Sequence, residues 1–210
     1  MKKLLAGLML VLSTAVWADP QLGNEFNQTT QTVATDNPNK IEVTELFWYG
    51  CPHCHQLEPQ LNAWLKTLPK DVTFKRMPAL PRPDWAPMAK AFYAMEALGV
   101  SEKLHSKLFE AIHKQKVLPP NDERAVIDWI TKEGGFDRKK VEAEFASFSI
   151  NTKLNNAANV FRATGATGVP TLMIDGKYIT SVTMAGGYQE VFNVTNYIID
   201  NLRKDKAAKK

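Results

Sequence analysis

Residues 41–50, IEVTELFWYG, begin as an alternation and become a continuous apolar and aromatic run. A strand of that kind is covered on both faces, so it belongs in the middle of a sheet whose other members come from elsewhere in the chain. This demand excludes an all-helical bundle and a small disulfide-stapled scaffold. It also sets the place of a site, because the run ends directly in CPHCH, residues 51–55, which holds both cysteines and two of the four histidines.

Three further segments have strand character. DVTFKRMP, residues 71–78, is a short strand, and TLMIDGKYIT, residues 171–180, is a hairpin with Asp175-Gly176 at its turn. Residues 19–40 are polar and end in the turn-forming Asp36-Asn37-Pro38-Asn39, an N-terminal extension with one edge strand. After the cysteines, Leu57, Leu61, Trp64, Leu65 and Leu68 fall at helical spacing, with Pro59 as an expected kink.

Prolines 81, 83 and 87 in ALPRPDWAP break this organisation, and from there to about residue 163 the pattern is helical. Ala89 to Leu98 is one helix, stopped at Gly99. Leu104, Leu108 and Ile112 stripe a second, which carries His105 and His113, both expected to face solvent. Asn121 or Asp122 caps a third with Val126, Ile127 and Ile130, stopped by Gly134-Gly135. Val141, Phe145 and Phe148 line a fourth; Asn151 begins a fifth through Val160 and Phe161. After Gly186-Gly187, Val191, Val194, Ile198 and Leu202 stripe a last helix. The class is α/β, a sheet domain interrupted by an all-helical insert: residues 19–80, an insert at 81–163, and 164–210.

Residues 1–18, MKKLLAGLMLVLSTAVWA, read as a secretory signal peptide, with a basic start, a short apolar run and a small residue at the end. No second stretch is long and apolar enough to span a bilayer, so an exported, soluble protein is expected. The net charge of +4 falls near +2 once Lys2 and Lys3 leave with the leader, a balance that points to no nucleic acid or other charged partner. The basic tail RKDKAAKK reads as a solvated helix end.

Two cysteines only three residues apart would close a tiny loop, and such a bond adds little stability. Their purpose is chemical. CPHC is a redox dithiol pattern, CPHCH is also the pattern of covalent haem attachment, and two cysteines with histidines suggest a metal clip. Haem would need an axial ligand from Met77, Met88, Met95, Met173 or Met184; a zinc site would need two well-placed histidines, and His53 and His55 are too close to complete a tetrahedron easily.

The redox reading follows from position. A strand feeding a helix puts Cys51 at the helix N-terminus, where unpaired amides and the helix dipole favour a thiolate. Pro52 fits the first turn because its missing N–H has no partner there. His53 can add a hydrogen bond or a positive charge, while Cys54, nearly a turn further on, is expected to be buried and less acidic. Stabilising the thiolate stabilises the reduced form, which makes the disulfide an oxidant.

FWYGCPHC (47–54), the helical insert and GVPTLMIDGKY (168–178) together resemble the DsbA-type periplasmic thiol-disulfide oxidoreductases of the thioredoxin superfamily. The resemblance covers nearly the whole chain after the leader. It implies a thioredoxin-like fold, a cis Val169-Pro170 bond beside Cys51, and Val169 backbone groups that pair with a substrate peptide. It also implies acidic groups beneath the site at Glu45 and Glu58, for which Lys75 is a candidate partner. The cofactor is then none beyond the Cys51-Cys54 disulfide. Expected partners are unfolded or folding exported proteins with free cysteines and, for reoxidation, a quinone-linked inner-membrane protein of the DsbB type. Residues 19–40 are too short for the dimerisation domain of a DsbC-type isomerase, so a monomeric oxidase is preferred. The resemblance leaves groove shape to local features, among them the Trp48-Tyr49 pair and the proline-rich segment.

Overall fold

A computed structural model describes residues 19–208; the signal peptide expected at 1–18 lies outside them. Five strands form one sheet, β1 (Asn27–Gln28), β2 (Ile41–Phe47), β3 (Val72–Pro78), β4 (Thr171–Ile174) and β5 (Tyr178–Ser181), in the order β1-β5-β4-β2-β3. The pairing of β2 with β3 is parallel; the other three are antiparallel. Every residue of β2 is buried, as its apolar run demands, because it has a strand on each edge and helices on each face.

Alternation divides the core in two. Ile41, Val43, Leu172 and Ile174 point to one face and pack on α1 (Pro52–Leu65) and α8 (Glu190–Ala208) through Leu61, Trp64, Phe192 and Ile198. Leu46 and Met173 point to the other, where they join the cluster filled by five helices, α2 (Ala86–Ala97), α3 (Ser101–His113), α4 (Glu123–Gly134), α5 (Arg138–Phe145) and α6 (Phe148–Thr164). A four-residue α7 (Val182–Ala185) leads into the loop before α8.

The local signals act as their chemistry requires. Asp122 caps α4 by accepting from the Ala125 N–H, and α4 ends at Gly135 with φ +72°. Asp175 and Gly176 both have positive φ in the β4–β5 turn, and a Cβ on Gly176 would collide with the Val33 carbonyl. Helix α1 continues through Pro59. The fourth helical stripe fails at Phe148: α5 stops at Phe145 because Ser147 caps a new helix, accepting from the Ile150 N–H, and leaves Phe148 at the first turn of α6, 86% exposed. The fifth helix therefore starts three residues before Asn151.

Candidate active site

Beyond Phe47 the chain turns through Trp48-Tyr49-Gly50 and enters α1 with Cys51 as N-cap and Pro52 in the first turn. The Cys51 N–H donates to the Trp48 carbonyl at 2.9 Å. Gly50 is needed because a Cβ would strike the Trp48 ring, itself stacked on Trp85 with centroids 4.2 Å apart. Tyr49 turns inward and is buried, so of the aromatic pair only Trp48 bears on the outer surface.

Both cysteines are free thiols with opposite surroundings. The Cys54 thiol donates to Cys51 and does most to bring Cys51 down to about 6; burial opposes this, and the backbone N–H groups of Cys54 and His53 and the His53 charge assist. Cys54 has no exposed surface. Burial pushes its thiol well above the ordinary value, and donation to Cys51 and the nearby charges of Cys51 and Glu45 push the same way.

Across from Cys51 stands the cis Val169-Pro170 bond. Cys51 Sγ lies 3.4 Å from the Val169 carbonyl oxygen, to which it donates when protonated. Thr171 fixes this loop by donating from its hydroxyl to the Gly168 carbonyl at 2.8 Å. A groove of about 400 Å³ runs past it, lined among others by His53, Val169, Pro170, Met184 and Tyr188. His53 is exposed, with Nδ1 2.9 Å from the Tyr188 hydroxyl.

Beneath the cysteines lies a buried polar network. Arg76 on β3 places Nε 3.2 Å from Glu45 and an amino nitrogen 3.1 Å from Glu58. His105 Nε2 donates to Glu58 at 3.2 Å, and its Nδ1 accepts from the Tyr49 hydroxyl at 2.6 Å. Burial holds His105 below its ordinary value, which favours the neutral ring that these two roles require. His113 donates from Nε2 to the Tyr49 carbonyl at 2.7 Å, and His55 stacks on the His113 ring. Burial drives the Glu45 carboxyl up to about 8 against the pull of Arg76, whereas Glu58, with His105 and Arg76 as partners, lies below its ordinary value despite burial.

Of the residues expected at the site, Cys51, His53, Pro52, Val169 and Pro170 come together at its mouth, Cys54 lies enclosed behind Cys51, and Glu45 and Glu58 lie under it. Three expectations are corrected. Lys75 is not the partner of the buried acids: β2–β3 register sets Lys75 opposite Thr44 and Arg76 opposite Glu45, so Lys75 emerges on the other face and pairs with Glu42 and Asp36. His105 is buried rather than solvent-facing and His113 is half-buried; they continue the apolar side of α3 and support Tyr49. Their signal was spacing, since positions 104, 105, 108, 109 and 112 form one wide face and 113 adjoins it. Tyr188 had no signal, because nothing local ties it to a motif 135 residues away.

Of the methionines considered for haem, Met184 lines the groove and Met77 is buried. Met88, Met95 and Met173 are core residues. Among the described residues, no group of three or more His, Cys, Asp and Glu side chains is arranged to hold a metal ion.

Comparison with known proteins agrees with this geometry. The family model described as a DSBA-like thioredoxin domain matches residues 70–198. The thiol:disulfide interchange protein DsbA of Pseudomonas aeruginosa is 37% identical over 216 residues, covering all of both chains. The chain belongs to the DsbA family. A second DsbA, from Burkholderia cepacia, is 36% identical over 98% of this chain and all of the relative. The crystal structure of a single-site variant of P. aeruginosa DsbA superimposes with a TM-score of 0.83 at 35% identity, covering 89% of this chain and all of that one. As a DsbA-family member with this dithiol, the protein is a thiol-disulfide oxidoreductase of thioredoxin-like fold. No described helix is long and apolar enough to cross a membrane.

Proposed function

We propose that this DsbA-family protein is a periplasmic oxidase that donates its Cys51-Cys54 disulfide to exported proteins. A substrate thiolate attacks Cys51 Sγ, the Cys51–Cys54 bond breaks, and Cys54 leaves with the electron pair and takes a proton. The substrate's second thiolate then attacks the substrate sulfur of the mixed disulfide, and Cys51 leaves as a thiolate. Two electrons pass from the substrate, which gains a disulfide, to the Cys51–Cys54 disulfide, which becomes a dithiol.

The supporting observation is the asymmetry of the pair: an N-cap Cys51 brought down to about 6, and an enclosed Cys54 pushed far up. Only the outer sulfur is open to attack, and it is the better leaving group in the second step. His53 and the α1 amides stabilise Cys51, and Pro52 leaves the first turn without a wasted donor. The Val169 carbonyl, which has no Cys51 thiol proton to accept in the disulfide form, accepts a substrate backbone N–H with Pro170 as the adjoining wall. Glu45 and Glu58 are the acidic groups beneath the enclosed thiol, and Glu45 is near enough to influence it. Reoxidation is assigned to a quinone-linked inner-membrane protein of the DsbB type. The protein acts as a monomer with no cofactor other than the disulfide, and residues 81–163 serve as an insert within one sheet domain.

Oxidised protein should restore activity to reduced, unfolded ribonuclease, with stoichiometric loss of substrate thiols, and Cys51→Ser should not. A wild-type protein that leaves the thiols reduced would sink the reading.

A further inference from the structure

Tyr188 lies in the loop between α7 and α8, half-buried on the rim of the groove, and meets two residues of α1. Its hydroxyl is 2.5 Å from Gln56 Oε1 and 2.9 Å from His53 Nδ1. A phenol has one proton, and a carbonyl oxygen can only accept. The Tyr188 proton therefore goes to Gln56, and its oxygen is left as an acceptor. The contact with His53 then requires a proton on Nδ1.

We propose that Tyr188 is a positioning residue for His53: its hydroxyl, committed to Gln56, accepts from His53 Nδ1–H and holds the imidazole in the form that favours a thiolate at Cys51. A ring with Nδ1 protonated becomes a cation by gaining a proton at Nε2 alone, and the Tyr188 bond strengthens when it does, since a charged donor bonds more strongly than a neutral one. The His53 charge is among the influences that lower Cys51. Partial burial, and after it the charge of the nearby Cys51 thiolate, hold the Tyr188 phenol above its ordinary value. Gln56 fixes Tyr188, Tyr188 fixes His53, and His53 biases Cys51. The effect is to make the disulfide more oxidising than the α1 terminus alone would.

The inference rests on the oxidase reading but is tested separately from it. In Tyr188→Phe the ring stays and the hydroxyl goes. The thiolate midpoint of Cys51, followed by ultraviolet absorbance, should rise, and the equilibrium constant with glutathione should move roughly threefold toward the protein disulfide, the size expected for one ordinary exposed hydrogen bond. Gln56→Leu should move both the same way by less. Nitrogen NMR of the His53 ring should show the proton on Nδ1 in the neutral wild type and a mixture in Tyr188→Phe. In a His53→Leu background the tyrosine change should do nothing. An unmoved midpoint and glutathione constant in Tyr188→Phe, or an equal shift without His53, would overturn the inference while leaving ribonuclease oxidation by the wild type intact. Loss of that oxidation in the wild type would overturn the oxidase reading instead.

Discussion

The mouth of the site and the ground beneath it handle charge in opposite ways. At the mouth, Cys51 meets helix amides, the Cys54 thiol and His53, and a negative charge is welcome. Below, Glu45, Glu58, Arg76, His105 and Tyr49 are nearly enclosed, and burial is the leading influence on each of these groups. One region lowers the cost of an ion with donors that cost nothing to arrange; the other tolerates ions only as a paired set. Sulfur atoms three residues apart thus differ in acidity because they sit on either side of that boundary.

Removing Arg76 should break the lower region first. Arg76→Met leaves Glu45 and Glu58 with one shared counter-charge fewer, and denaturant unfolding at pH 8 should show a loss of about 3 kcal/mol. The loss should shrink toward pH 6, where Glu45, raised to about 8, already holds its proton. Cys54→Ala tests the mouth. Without the thiol donor the Cys51 midpoint should climb from about 6 by about one to two units, read from thiolate absorbance.

The pH dependence of stability separates the two regions. Cys51 is depressed, so the reduced fold has its stabilisation fully above the unfolded value of 9.0 and loses it as pH falls through about 6. Glu45 is raised, so its contribution is fully present below 4.5 and is lost as pH rises through about 8. The oxidised protein, without a Cys51 thiol, should report the second slope alone. Reduced minus oxidised stability should report the first, on the order of 1 kcal/mol at pH 7 after allowance for solvent screening. A difference that grows toward acid pH would contradict the assignment. The smallest change is expected from Lys75→Gln, a partly exposed residue on the other face: roughly 1 kcal/mol or less, with the thiolate midpoint unmoved.

How much of this was readable in the chain follows the range of each interaction. The β2 run, the Asp122 cap and the Asp175-Gly176 turn depend on neighbours a few residues away, and each formed as its residues indicated. Cys51 at a helix start was readable for the same reason, and the Gly-Val-Pro loop was placed by resemblance. Phe148 failed although it is local, because a helical stripe does not record the serine that interrupts it. Lys75 and Arg76 differ by one residue, and a strand assigns adjacent residues to opposite faces, so register settled at a distance reversed the pairing. His105 and His113 needed Tyr49 and Glu58 from other elements to reveal why a histidine should lie inside.

The contact between Cys51 and Val169 joins positions 118 apart in sequence. A ribosome working from the N-terminus makes the dithiol early and the wall that faces it late. For the whole of the helical block's synthesis, the two sulfurs exist without the loop that will stand opposite them. The reactive cleft is finished only when β4 enters the sheet beside β2, so an incomplete chain has the cysteines without the groove that would bring a client to them.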